Sequence, residues 1–154
     1  RKNEYPLNYF LLLMWTLVQS VLVGLVCAIY LEEGLGDVVL QAAVLTCSLF
    51  GGLTLFACQT HIRFEFMQAG LYSALHLLIA WFFIQMLVPI DRPIFDRVYG
   101  LVGALIFCGF ILVDTQLICT RLGYDDYIVA AIELYLDLIN LFLKLLRLLA
   151  ASRR

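Results

Sequence analysis

Glu133, Asp137, Asn140, Lys144 and Arg147 follow one another at intervals of 4, 3, 4 and 3 residues in a stretch, 127–150, that otherwise holds only Leu, Ile, Phe, Tyr, Val and Ala. At about 100° per residue in a helix they fall within roughly 80° of one another. A charged side chain near the centre of a bilayer costs roughly 2.5–3.5 kcal/mol, so this line must face protein or water. A further acid, Asp114, precedes the stretch on the other side of the 120–126 turn. At about 1.5 Å per residue, Asp114 lies roughly 9 Å before Thr120, and Glu133 and Asp137 lie roughly 9 and 15 Å beyond Tyr127. Two antiparallel helices would therefore bring all three acids to similar depth, and rise alone pairs Asp114 with Glu133 at least as well as with Asp137. Two carboxylates sharing a low-dielectric site cannot both ionise cheaply and are expected to titrate as a unit. Such a pair makes a proton-sensitive latch and, when both ionise, can offer oxygen ligands to a hard cation such as calcium. The plainer alternative is that each acid caps a buried hydrogen bond or pairs with Lys144, but three intramembrane acids exceed what helix packing needs.

The elements that must position these residues are membrane helices. Of the 154 residues 64% are hydrophobic and 14% charged, and the mean hydropathy is +0.96, far above an ordinary soluble domain, in which about half the residues are apolar. Five runs approach the roughly 20 residues that cross a bilayer: 7–31, 38–59, 67–88, 98–119 and 127–150. This predicts an all-α, polytopic membrane helix bundle forming one domain over 1–154, with the last segment central. Tyr5-Pro6-Leu7-Asn8 opens the first span, the proline setting the helix start. Glu32, Glu33, Gly34, Gly36 and Asp37 make an acidic turn. Gly51-Gly52 in the second span suits close approach of a neighbouring helix or a kink, and Gly100, Gly103, Ala104 and Gly109 do the same in the fourth. Gln59 to Glu65 is a polar connection, in which His61 and Arg63 decorate a solvated loop. Pro89, Asp91, Arg92, Pro93, Asp96 and Arg97 form a rigid, charge-balanced loop that stops both neighbouring helices. Asp125 and Asp126 suit the positive end of the last helix. His76 and Gln85, nine residues apart, fall on opposite faces of the third span and are expected to make interhelical hydrogen bonds.

Several functions are excluded by the same pattern. No basic face interleaved with aromatics speaks for nucleic acid, and neither a Gly-rich phosphate cradle, a metal-spaced His/Cys set nor a nucleophile triad is present. The five cysteines, Cys27, Cys47, Cys58, Cys108 and Cys119, form no C-x-x-C pair and read as free, buried thiols. There is no initiating Met and no signal-peptide pattern, so the chain reads as a piece of something longer. Lys and Arg favour the cytoplasmic side of a membrane. If all five segments cross, Arg1, Lys2, Arg63 and Arg121 stand against Arg92, Arg97, Lys144, Arg147, Arg153 and Arg154. If the last segment instead dips in and returns, the tally is eight against two. Both counts put the C-terminal tail in the cytoplasm and disagree about the first residues.

Tyr5-Pro6-Leu7-Asn8, Phe56-Ala57-Cys58-Gln59-Thr60, the run from Gly103 to Phe110, Asp114-Thr115-Gln116 and the run from Ala130 to Leu143 together resemble the transmembrane BAX inhibitor motif family, and Asn140 to Arg147 resembles its lifeguard branch. The resemblance covers essentially the whole chain. It implies six or seven membrane helices in all, with this chain starting at the third, and residence in the Golgi or endoplasmic reticulum. It also implies that Asp114 and Asp137 form a pH-responsive pair gating a calcium leak, with a basic partner on an earlier helix. No family role carries over to Glu133.

Three functional classes follow. A pH-gated leak, a negative regulator of apoptosis through store calcium, would open as Asp114 and Asp137 lose their protons, along a path lined by Glu133, Asp137 and Asn140. It would need no cofactor or resident metal, and its partners would be the lipid bilayer and calcium as the permeant ion. An intramembrane aspartyl hydrolase also needs two facing carboxylates, but such enzymes carry Gly-x-Gly-Asp where this chain has Ile111, Leu112 and Val113 before Asp114, so no enzyme is expected. A non-conducting scaffold acting on apoptosis through membrane-protein partners is the remaining alternative.

Overall fold

A computed structural model describes residues 6–88, 93–120 and 127–153. It contains α1 (Leu7–Glu32), α2 (Gly36–Gln59), α3 (Gln68–Leu87), α4 (Pro93–Thr120) and α5 (Tyr127–Arg153), with a short 3₁₀ turn at Glu65–Met67 ahead of α3. Among the described residues the regular structure is therefore all helical. Pro6 stands immediately before α1, which starts at Leu7 as the sequence predicts; Tyr5, the 89–92 part of the third connection, and Asp125 and Asp126 lie outside the described residues.

Four helical segments, Leu7–Glu32, Gly36–Gln59, Glu65–Leu87 and Pro93–Thr120, are long and apolar enough to cross a membrane. The fifth, α5, qualifies on length alone, because the polar line of Glu133, Asp137, Lys144 and Arg147 dilutes it. Its 27 residues form one unbroken helix, about 40 Å long at 1.5 Å per residue, with no turn at which the segment could double back. The α1–α2 junction shows why the first two helices end and begin where they do. Gly34 adopts φ +77°, its N–H bonds the Leu31 carbonyl, and the Leu35 N–H reaches back to the Tyr30 carbonyl at 2.9 Å. This is a Schellman closure, which needs a left-handed residue that glycine supplies without strain.

The core lies where α2, α4 and α5 meet. Val38, Ile111, Val113, Leu141 and Leu146 are its fully buried large side chains. The last helix is central, packing on α1, α2 and α4, while α3 packs on α4. In contrast, α1 presents Leu13, Leu17, Val21 and Leu25 outward, as a lipid-facing helix does. Association inside a membrane relies on close packing, since lipid is as apolar as leucine. Small residues on α4 provide it. A Cβ on Gly100 would meet Leu148 backbone and Cβ atoms at 3.0–3.1 Å, one on Gly103 would meet the aliphatic stem of Lys144, and one on Gly109 would meet Leu71.

Four sequence expectations are corrected. A Cβ added at Gly51 or Gly52 would have nothing within 4 Å, so these glycines mediate no helix contact among the described residues. Asp96 and Arg97 belong to the first turns of α4, which starts at Pro93. Proline is welcome at a helix start, where its missing N–H has no partner to lose. His76 stays within its own helix, its Nδ1 at 2.7 Å from the Tyr72 carbonyl, because an exposed ring next to lipid satisfies itself on the nearest free carbonyl. The cysteines are free but not buried: Cys47, Cys58 and Cys119 are exposed and Cys27 and Cys108 half-buried. In a membrane a small apolar thiol gains as much against lipid as in a core.

Gly100→Ala should destabilise the protein by about 1–3 kcal/mol, because Leu148 meets the new methyl with backbone that cannot swing aside. Gly51→Ala should change stability by no more than about 0.5 kcal/mol, since it adds a methyl in open space. Thermal unfolding of the two variants in detergent, side by side, measures the contrast.

Candidate functional site

The polar line of α5 faces α4, and its two halves have different surroundings. Toward the C-terminal end, cations meet partners. Lys144 donates to the Tyr99 hydroxyl at 2.9 Å and lies 4.0 Å from that ring's centroid. Arg147 pairs with Asp96, its Nη2 at 2.5 Å and its Nε at 3.2 Å from the same oxygen, reaches Gln85 of α3 at 3.4 Å, and stacks 4.6 Å from the Tyr99 ring. Arg97 donates to the Ala151 carbonyl at 2.9 Å, and Arg153 pairs with Asp37 at the start of α2. Lys144 thus serves α4's tyrosine rather than an acid of its own line, and Gln85 makes the interhelical bond that the sequence assigned to it.

Toward the N-terminal end of α5 the acids gather. The Asp137 carboxyl faces that of Asp114 on α4, close enough for the two to interact, and Glu133 lies within electrostatic reach of both. Asp137 is buried, with 7% of its surface exposed, Asp114 is half-buried, and Glu133 is exposed at the rim. A hydrogen bond between two carboxyls requires a proton on one of them. One Asp137 oxygen is buried without a partner, as is the Thr115 hydroxyl beside Asp114. Rise along the helix axes left Glu133 and Asp137 equal candidates to meet Asp114. The helix rotations decide for Asp137, which sits on the inner face while Glu133 turns outward.

Asn140, the fourth candidate, is half-buried and spends its Nδ2 on the Leu136 carbonyl of its own helix at 2.9 Å. It lines an open cleft of about 290 Å³ between α3, α4 and α5 together with Leu78, Phe83, Tyr99, Phe107 and Lys144. The structure therefore brings Asp114, Asp137 and Glu133 together and places Asn140 at the wall of a neighbouring space. Among the described residues no three His, Cys, Asp or Glu side chains converge as a metal cage would require.

Gln116 is a residue whose role the sequence left open. From α4, two residues beyond Asp114, its Oε1 accepts from the Phe64 N–H at 2.8 Å and its Nε2 donates to the Ile62 carbonyl at 2.6 Å. One buried amide so completes two backbone groups of the α2–α3 connection and ties that connection to the acid-bearing helix. Its place in the Asp114-Thr115-Gln116 run was the only signal of this.

A family described as inhibitor of apoptosis-promoting Bax1 matches residues 1–154. Protein LIFEGUARD 4 of Arabidopsis thaliana is 40% identical over 153 residues, which cover 97% of this chain and 60% of that protein. Protein lifeguard 4 of Mus musculus is 39% identical over 155 residues, 99% of this chain and 62% of its own length. The Golgi anti-apoptotic protein of Vaccinia virus (strain Lister) is 38% identical over 153 residues, 99% of this chain and 62% of its own length. The chain spans about 60% of the length of these curated relatives.

Gln116→Ala should leave the Phe64 N–H and the Ile62 carbonyl unpaired, at a cost of about 1–3 kcal/mol. Amide exchange at Phe64 should quicken on the order of tenfold while exchange in the middle of α4 stays unchanged, which hydrogen exchange read by mass spectrometry resolves.

Proposed function

This chain belongs to the family of inhibitors of apoptosis-promoting Bax1, and we propose that it acts as a pH-sensitive calcium leak of an internal membrane, the Golgi or endoplasmic reticulum, that restrains apoptosis by limiting store calcium. The observation that carries the reading is the buried Asp137 carboxyl that faces Asp114 across the α4–α5 contact with one oxygen unsatisfied. The name of the Vaccinia relative joins the Golgi to resistance against apoptosis, and the distribution of Lys and Arg supports a cytoplasmic C-terminal tail.

In the closed state the two carboxyls share a proton and hold α5 against α4. As pH rises the second proton leaves. Two like charges in a low-dielectric site then repel, and the contact between α4 and α5 that a hydrogen bond had stabilised becomes unfavourable. Separation there admits water and exposes carboxylate oxygens, the ligands a hard divalent cation prefers. Glu133, exposed at the rim, adds negative potential at the mouth and raises the local concentration of cations. No bond is made or broken in this cycle, only a proton exchanged. The sign follows directly: the leak is low where the pair is protonated and increases as pH rises through its titration.

Calcium efflux from liposomes holding the purified protein should rise on the order of tenfold between about pH 5 and about pH 8, a change of about 1.4 kcal/mol in the opening equilibrium. Asp137→Asn, which keeps the shape and removes the titrating group, should flatten that profile, and Asp114→Asn should do the same. Glu133→Gln should lower the flux at every pH with the profile kept. A pH profile unaltered by both aspartate variants would defeat the proposal. Complete absence of flux would transfer the reading to a non-conducting scaffold that works through membrane partners.

A further inference from the structure

The acid-bearing end of the bundle also carries two thiols that face each other. Cys58 stands one residue before the end of α2 and Cys119 one residue before the end of α4. They are 61 positions apart in the chain, yet their Sγ atoms lie 2.9 Å apart, within about 1 Å of the roughly 2.05 Å of a disulfide bond. Both side chains are exposed. Among the described residues no other two thiols are in contact. Cys47 and Cys108 lie near the middle of α2 and α4 and Cys27 five residues before the end of α1, so Cys58 and Cys119 stand nearer a helix end than any of them.

The approach is held by contacts that do not involve sulfur. Gln116, one helical turn before Cys119, bonds the Phe64 N–H and the Ile62 carbonyl in the connection that leaves α2. Phe56 of α2 packs on Phe64 with ring centroids 6.0 Å apart. The ends of α2 and α4 are thus fixed to each other on both sides of the thiol pair, and little backbone movement is needed to close it.

We propose that Cys58 and Cys119 form a reversible dithiol–disulfide switch that staples the end of α2 to the end of α4, exchanging with small disulfides of the glutathione class. One cysteine thiolate attacks a sulfur of the oxidised tripeptide, a mixed disulfide forms, and one reduced glutathione leaves. The second thiolate then attacks the protein sulfur of that mixed disulfide and expels the second glutathione. The two protein thiols lose two electrons and two protons, and both end on the two glutathione thiols. The staple closes a ring over the 60–64 connection, α3 and most of α4, and anchors α4 five residues beyond Asp114. This chemistry stands apart from the leak and is read without measuring flux.

The full chain in detergent is equilibrated at a series of reduced-to-oxidised glutathione ratios, quenched in acid, unfolded, and labelled with a bulky maleimide, so that the number of free thiols is read as a mass ladder. Wild type should move from five labelled cysteines to three as monomer, with recovery of all five on reduction. Cys58→Ser and Cys119→Ser should each keep four labels under both conditions, and Cys47→Ser should still lose two. Both switch positions are exposed, so serine there leaves the packing intact. Five labels in oxidised wild type, a covalent dimer, a mixed disulfide that persists with bound glutathione, or equal thiol loss in Cys58→Ser each overturns the proposal.

Discussion

Asp137, Lys144 and Arg147 project from α5 toward α4, and each must find there the polar partner that lipid does not offer. That requirement organises the bundle. It turns α5 so that one face meets α4, makes α4 the most buried of the candidate spans, and leaves α1, which carries no such line, on the outside. The small residues of α4 follow from it as well. A cation such as Lys144 reaches Tyr99 only if its four-carbon stem can lie flat between the helices, and Gly103 supplies the space. The apolar core of Ile111, Val113, Leu141 and Leu146 then fills the interface around the polar contacts, rather than creating it.

What the sequence disclosed, and what it withheld, divides along the same physical line. Periodicity within one helix is a local property, so the shared face of Glu133, Asp137, Asn140, Lys144 and Arg147 and the run of membrane segments were legible from residue spacing. Partnership between helices depends on their rotation, which spacing does not encode. Asp137 rather than Glu133 meets Asp114 for that reason, a preference that rise along the axis left open and that only the family resemblance indicated. Asp96 looked like half of a balanced loop because its partner, Arg147, lies 51 residues away. Gly51-Gly52 and Gly100 are equally small to a reader of the sequence, and only the second finds a helix against it. Cys58 and Cys119 share no motif and could not have been joined without the fold.

The two ends of the α4–α5 contact differ in how they would respond to separation. At the Arg147 end, opposite charges and a cation over an aromatic ring attract, and pulling the helices apart would strand a guanidinium and an ammonium in an apolar medium, a penalty of several kcal/mol per ion. At the Asp114 end the facing groups are both carboxyls, which would repel if both were ionised. The glycine contacts reinforce this imbalance, since Gly100 and Gly103 press α4 onto α5 near Leu148 and Lys144, whereas Gly109 presses on Leu71 of α3. In the proposed leak, separation would therefore start at Asp137 and leave the C-terminal half anchored. Cys58 and Cys119 sit at the Asp114 end of the bundle, where Gln116 gathers the α2–α3 connection onto α4. The proposed staple would add a covalent tie between α2 and α4 to those contacts, and so would hold α4 in place on the side away from α5's own movement.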